Sequence, residues 1–168
     1  IVSRLVPYKK VDLAIKAFNK LKKPLIVVGT GSELSRLRKI AGPTITFAGS
    51  VSDRRLIEEY RRAKAVIFPQ VEDYGLVPLE AQACGTPVIA YGQGGALETV
   101  KDGVTGILFA KQNSLSLAKA VERFEKKTIN PQMCQKNALR FNEESFRKNF
   151  SSAIESLWSG GHFADSSR

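Results

Sequence analysis

Short β-branched runs alternate with helical patterns through most of this 168-residue chain, and this alternation restricts its fold more than any other feature. The run Leu25–Val28 is apolar at every position, which is typical of a strand buried on both faces of a sheet. Strands separated by helices connect through right-handed crossovers, so the pattern predicts a doubly wound parallel α/β sheet of about six strands, Rossmann-like in layout. The predicted strands cover residues 1–5, 25–28, 44–48, 65–68, 87–90 and 106–108.

Helical patterns fill the gaps between these strands. They predict helices at residues 11–22, 33–41, 53–63, 76–84, 96–100 and 114–126. From Pro131 the periodicity is helical only, which predicts two extra C-terminal helices, at about residues 131–140 and at 143–157. We therefore predict one domain over residues 1–158, followed by a polar Gly/Ser-rich tail at 159–168 that we expect to be disordered. Because the chain opens inside a predicted strand, we expect a piece of a longer protein.

Composition and charge narrow the kinds of partner. The formal net charge of +10 suits nucleic acid, an anionic membrane surface or an anionic small ligand. The basic residues are spread over several helices without interleaved aromatic side chains, so we expect no nucleic-acid partner. The two cysteines are far apart, and the chain contains no Asp-x-Asp pair. We therefore expect no metal and no cofactor, and the cysteine usage fits a reducing cytoplasm.

The stretch 68–81 holds the most informative group of polar residues. It follows a buried predicted strand and opens a predicted helix at Leu76, directly after Gly75. Amides exposed at such a helix start bind phosphate, with help from the helix dipole. Glu72 in the loop and Glu80 in the helix can accept hydrogen bonds from hydroxyls of two different sugars. The alternative interpretation is an acidic helix start that favours the dipole.

The spacing Glu72-x7-Glu80, with Tyr74-Gly75-Leu76 between, resembles the signature of retaining GT-B glycosyltransferases (glycosyl transferase group 1, family 4). The resemblance covers residues 1 to about 126 and implies the C-terminal, donor-binding half of a GT-B fold. It implies that Glu72 contacts the transferred sugar and that Glu80 binds the ribose hydroxyls. The amides of Gly75 and Leu76 would contact the diphosphate and donor sugar, with Tyr74 in the same donor-binding group.

The segment 3–12 resembles the family stretch whose basic residues hold the donor diphosphate. Arg4 would end the first predicted strand, and Lys9 would lie in the loop before the first helix. Arginine suits bidentate contact with phosphate, whereas lysine acts as a compact point charge. Lys10 stands where the family usually has glycine, so Lys9 is the preferred candidate and Lys10 stays open. Two basic residues near a helix start are, taken alone, most often surface charge.

Three further loops resemble donor-site segments of the family. Gly31 lies in a glycine turn that the family places near the donor phosphates, although a glycine pair by itself is weak evidence. Ser50 and Val51 match a segment whose backbone contacts the nucleobase. Gly94 and Gly95 match the glycine-rich loop that closes the donor site.

The resemblance implies transfer of a hexose from a nucleoside diphosphate sugar to an acceptor hydroxyl with retained configuration. Arg4, Lys9 and the helix start at Leu76 would stabilise charge on the departing diphosphate, and Glu72 would orient the sugar. The catalytic candidates are therefore Arg4, Lys9 and Glu72, with no metal site. Residues 2–14 and 90–100 look most like bacterial mannosyltransferases of surface-polysaccharide and lipopolysaccharide synthesis. This indicates GDP-mannose as the donor, with a UDP-hexose second.

The implied partners are the nucleotide sugar and an N-terminal acceptor-binding domain of the same protein. Without that domain we expect the chain to be inactive. We expect a cytoplasmic location, and a peripheral contact at the inner membrane face stays open. Two other interpretations are a different GT-B enzyme, such as a sugar-nucleotide epimerase, and a non-catalytic nucleotide-binding module.

Overall fold

The structure, a computed structural model, describes residues 1–159. It divides into two compact units, one from Ile1 to Ala138 and one that begins at Leu139. Most of the predicted tail, at residues 160–168, lies outside the described residues. Ser159, predicted to begin the tail, is instead the last residue of a helix.

The first unit alternates strands and helices as the sequence predicts. Its strands are β1 (Leu25–Val28), β2 (Ile45–Gly49), β3 (Val66–Phe68), β4 (Val88–Tyr91) and β5 (Gly106–Phe109). Its helices are α1 (Val11–Leu21), α2 (Leu34–Ile40), α3 (Asp53–Arg62), α4 (Leu76–Ala83), α5 (Ala96–Thr99), α6 (Ser114–Glu125) and α7 (Pro131–Ala138), with a 3-10 turn at Pro7–Lys9. The observed ends of β1–β5 and α1–α6 differ from the predicted ends by at most one residue.

All strand pairing in the first unit is parallel. β1 pairs with β2, while β3, β4 and β5 form a second sheet in that order. The two sheets share one hydrophobic core, because Val27 of β1 and Ile67, Ile89 and Ile107 of the second sheet belong to the same buried cluster. Helices α1 and α6 complete this cluster with their apolar faces. Parallel strands covered by helices give the α/β architecture that the alternation predicts.

The first five residues depart from their predicted strand. Val2 forms an isolated parallel bridge with Val28, and two further backbone hydrogen bonds continue it, Ser3 N to Val28 O at 3.0 Å and Leu5 N to Thr30 O at 2.8 Å. The segment is therefore extended beside β1, but it does not form a regular strand. The reason is local: the turn at Pro7–Lys9 follows within two residues of Leu5 and ends the pairing.

A buried polar network fixes α4 against α7 and the end of α5. Asn137 donates from Nδ2 to Gln82 Oε1 at 2.8 Å and to the Thr99 carbonyl at 2.9 Å. Gln82 in turn donates from Nε2 to the carbonyls of Thr99 and Pro78, at 2.8 and 3.0 Å. Buried amides with their partners in place rigidify the elements that carry them. The helix that carries Glu80 is thus held at its inner face.

The second unit contains a 3-10 turn at Leu139–Phe141 and the helix α8 (Glu143–Ser159). Phe146 and Phe150, one turn apart on α8, stack with ring centroids 5.8 Å apart. Among residues 1–159, no helix combines the length and apolar character that a membrane crossing requires.

Candidate functional site

Lys9 and Glu72 meet at the carboxyl end of the sheets. Lys9 lies in the turn before α1, and Glu72 lies in the loop between β3 and α4. The Lys9 ammonium donates a hydrogen bond to Glu72 Oε1 and forms an ion pair with it. Both side chains are mostly covered, with 16% of Lys9 and 24% of Glu72 exposed. The fold therefore brings together the two charged residues that the sequence placed in one site.

Tyr8 links this pair to Arg4. Arg4 donates from Nη2 to Tyr8 Oη over 3.5 Å, and Lys9 Nζ lies 4.8 Å from the centroid of the Tyr8 ring. Hydrogen bonds from Arg4 and then from Lys9 lower the pKa of the Tyr8 hydroxyl, because both cations favour the phenolate. Arg4, Tyr8, Lys9 and Glu72 therefore form one continuous polar cluster.

The backbone conformation of Lys10 explains why the family that this sequence resembles usually has glycine at this position. Its φ angle is 53°, in the left-handed region, which costs a residue with a side chain about 1–2 kcal/mol. The residue forms the junction between the turn at Pro7–Lys9 and α1. The structure brings Lys9, rather than Lys10, to Glu72.

The loop of Gly94 and Gly95 packs directly on the backbone that carries Glu72. Gly95 N donates to the Glu72 carbonyl at 2.8 Å. A Cβ atom on Gly95 would lie 2.4 Å from the Tyr74 carbonyl oxygen, and one on Gly94 would lie 2.5 Å from that of Glu72. Any side chain at these positions would push the loops apart, so the two predicted donor-site loops form one unit.

Gly75 lies directly before α4 and has a left-handed backbone conformation, with φ 80°. Because glycine has no side chain to cap the helix, the first amides of α4 are available to a ligand. Leu76, the first helical residue, is 63% exposed, and Tyr74 is 46% exposed. This helix start follows Glu72 within four residues, so an anion bound to its amides would lie beside the Lys9–Glu72 pair.

Glu80 lies one turn further along α4 and has a partner that the sequence does not indicate. Tyr60, near the end of α3, donates its hydroxyl to Glu80 Oε2 at 2.7 Å. Tyr60 is only 3% exposed, whereas Glu80 is exposed. A buried hydroxyl therefore holds a carboxylate that faces solvent.

Gln70 is a second polar residue, besides Glu72, in the loop after β3. It is 2% exposed, and its Oε1 is the buried side-chain acceptor that lacks a hydrogen-bond partner among residues 1–159. Leaving such an acceptor unsatisfied costs about 1–3 kcal/mol. The neighbouring Pro69 carbonyl accepts a hydrogen bond from Gln112 Nε2 at 3.0 Å, which ties this loop to the loop before α6.

The remaining predicted residues lie at the same edge of the sheets. Gly31 packs on the Arg4–Leu5 segment, because a Cβ atom on it would lie 2.3 Å from the Leu5 carbonyl oxygen. Ser50 and Val51 follow β2, whose last residue, Gly49, accepts a hydrogen bond from Gly29 N at 2.7 Å. Ser50 and Val51 thus follow β2, whereas Lys9 follows the N-terminal segment and Glu72 follows β3.

Sequence reasoning missed Tyr8 and Tyr60. Tyr8 stands between Arg4 and Lys9, and its position within that basic segment was the available signal. Tyr60 follows the apolar spacing of a core residue, and nothing local indicates that its hydroxyl reaches a helix 20 residues away. In the described part of the chain, no group of three or more His, Cys, Asp or Glu side chains could hold a metal ion.

Comparison with known proteins identifies the family of this chain. A family profile described as glycosyl transferases group 1 matches residues 1–141. This chain belongs to that family. It is 37% identical over 143 residues to the D-inositol 3-phosphate glycosyltransferase of Mycobacterium leprae (strain Br4923), covering 78% of this chain and 33% of that relative.

Solved structures of other proteins share this fold. The apo form of the lipopolysaccharide outer core galactosyltransferase WaaB superposes with a TM-score of 0.81 at 20% identity, covering 93% of this chain and 48% of WaaB. Anabaena HepE in complex with UDP-glucose gives a TM-score of 0.73 at 27% identity, covering 92% of this chain and 48% of HepE. The predicted Rossmann-like C-terminal half of a GT-B fold is thus confirmed.

This group 1 chain is shorter than the proteins it resembles. It spans 33% of the length of the mycobacterial relative and 48% of each of the two solved structures.

We expect Gly95→Ala to separate the two packed loops. Its Cβ would meet the carbonyl oxygens of Asp73 and Tyr74 at 2.6 and 2.4 Å, so the free energy of unfolding should fall by about 1–3 kcal/mol. Urea unfolding measures this change. Gly92→Ala is the matched control, because its Cβ meets its neighbours at 3.5 Å or more. An equal loss of stability in both variants would contradict the close packing of these loops.

Proposed function

We propose that this chain is the donor-binding domain of a retaining hexosyltransferase that uses a nucleoside diphosphate sugar. The observation that carries the proposal is the cluster of Arg4, Lys9 and Glu72 beside the uncapped start of α4. Two cations and a set of free helix amides suit a diphosphate, and a carboxylate beside them suits a sugar hydroxyl. The family membership of the chain supports the same reaction class.

The proposed roles follow from charge and position. Breaking the bond between the sugar and the diphosphate leaves negative charge on the phosphate oxygens. Arg4, Lys9 and the amides of Gly75 and Leu76 would stabilise that charge without a metal. Glu72 would orient the sugar, and Glu80 would accept hydrogen bonds from the ribose. Retention would follow from attack by the acceptor on the same face of the sugar, assisted by the leaving phosphate.

The Lys9–Glu72 ion pair adds an exchange step to donor binding. In the ion pair each residue neutralises the other. A bound diphosphate would take over the Lys9 ammonium, which would release the Glu72 carboxylate toward the sugar. The positive charge that binds the leaving group and the acceptor that orients the sugar would then become available together.

We infer two candidate donors. GDP-mannose is the donor that the sequence resemblance of residues 2–14 and 90–100 indicates. A UDP-hexose is supported by Anabaena HepE, which is 27% identical to this chain and whose structure was solved in complex with UDP-glucose. The acceptor would be bound mainly by an N-terminal domain of the same protein. We place the reaction in the cytoplasm, in the synthesis of a surface polysaccharide or lipopolysaccharide.

A donor panel on the full-length protein tests the proposal. Calorimetric titration with GDP, UDP and ADP, and with GDP-mannose and UDP-glucose, should show binding to one base with its sugar. Arg4→Ala and Lys9→Ala should each lower kcat/KM for that donor by about 100-fold or more, because each removes a charge from the departing diphosphate. Arg54→Ala is the control, since Arg54 forms an exposed ion pair with Glu58 on α3. Absence of binding to every nucleotide would overturn the proposal.

Glu72→Gln should separate nucleotide binding from catalysis. Freed from its carboxylate partner, Lys9 should bind the bare nucleoside diphosphate about threefold to tenfold more tightly, because no partly buried ion pair must be broken. The same change should lower kcat about 100-fold, because the sugar loses its orienting carboxylate. Calorimetry with UDP or GDP and steady-state kinetics measure the two effects. Glu58→Gln is the matched control, and weaker binding of the bare nucleotide to Glu72→Gln would contradict the exchange step.

A further inference from the structure

Tyr60 contacts the proposed donor site from inside the protein. Its ring belongs to the buried cluster that contains Val66, Phe68 and Ala81, and the residue is 3% exposed. Its hydroxyl nevertheless reaches Glu80 on α4, to which it donates at 2.7 Å. A core tyrosine therefore presents its one polar atom to a carboxylate on the functional edge of the fold.

We propose that Tyr60 is a positioning residue, whose hydroxyl fixes the Glu80 carboxylate in the orientation that receives the ribose hydroxyls of the donor. The inference rests on the proposed function, in which Glu80 binds the ribose. It assigns a role in substrate recognition to a residue on a different helix from the carboxylate it orients.

The anchoring of Tyr60 makes it suitable for this role. Its own carbonyl accepts hydrogen bonds from Thr86 Oγ1 at 2.7 Å and from Ala63 N at 3.1 Å. The first of these ties the end of α3 to the turn that follows α4. Backbone and ring are thus both fixed, so the hydroxyl has a defined position relative to α4.

The chemistry of the contact leaves Glu80 free to bind a ligand. A carboxylate offers about four lone-pair positions, and the Tyr60 hydroxyl uses one of them on Oε2. Burial, followed by the hydrogen bond to Glu80, raises the pKa of Tyr60 well above its usual value. Tyr60 therefore stays a neutral donor and transfers no proton. Holding the exposed carboxylate in one rotamer before the ligand arrives reduces the conformational entropy lost on binding.

Tyr60→Phe in the full-length protein tests the inference, because it removes only the hydroxyl. The probes are UDP or GDP, whichever binds more tightly, and the matching 2′,3′-dideoxynucleotide. We expect Tyr60→Phe to weaken the ribonucleotide about tenfold and the dideoxynucleotide by less than about twofold. KM for the donor should rise by about the same factor as the ribonucleotide Kd, with kcat changed by less than about twofold.

A double-mutant cycle with Glu80→Ala separates positioning from packing. In the Glu80→Ala background, Tyr60→Phe should have almost no further effect on ribonucleotide binding, because the group that it orients is gone. Val121→Ala is the control for a purely structural effect, since it removes buried side-chain volume from α6 in the other core cluster, which contains neither Tyr60 nor Glu80. It should lower the melting temperature and leave the ratio of ribonucleotide to dideoxynucleotide affinity unchanged.

Each result supports or overturns the inference. Equal weakening of both nucleotides by Tyr60→Phe would show that the residue acts through packing, and would overturn it. Loss of affinity in Glu80→Ala without loss in Tyr60→Phe would overturn the inference and leave the proposed function intact. If Glu80→Ala binds the ribonucleotide as the unaltered protein does, the ribose role of Glu80 is wrong and the inference falls with it. Absence of nucleotide binding would end both proposals.

Discussion

Parallel pairing of the strands is the constraint on which the site depends. Because the strands within each sheet run in one direction, every loop that follows a strand emerges at the same edge of its sheet. This geometry lets Lys9 reach Glu72 across 63 residues of sequence. The shared core of the two sheets keeps the edges in place, and the buried amides of Gln82 and Asn137 hold α4 from within. The strand topology therefore determines where the site lies, and the side chains act at that position.

Close approach between backbones gives this edge its shape. Gly31 rests on the carbonyl of Leu5, and Gly95 rests on that of Tyr74. At both places a second loop occupies the space that a side chain would need. A site made of backbone amides needs loops held in fixed positions, because the amides cannot adjust as long side chains do. Lys9 and Arg4 then supply charge over a surface whose shape the glycines determine.

The sequence predicts the scaffold well and the cross-connections poorly. Apolar periodicity predicts β1–β5 and α1–α6 to within one residue at each end, because burial sets both the pattern and the elements. It fails at residues 1–5, where the turn at Pro7–Lys9 limits pairing to one bridge and its flanking hydrogen bonds. It also gives no sign of the Tyr60–Glu80 bond, since a tyrosine at core spacing reveals nothing of where its hydroxyl points. The roles of Ser50, Val51, Gly94 and the other candidate residues stay predictions that only ligand binding can test.

The most direct test of the account is hydrogen exchange of the full-length protein with and without saturating UDP or GDP. The account predicts that the amides of Gly75, Leu76 and Val77, at the start of α4, exchange at least about tenfold more slowly when the nucleotide is bound. Helix α2 carries no candidate site residue, so its amides should exchange at an unchanged rate. Nucleotide binding that protects other segments and leaves the start of α4 unchanged would contradict the central claim that this edge holds the diphosphate.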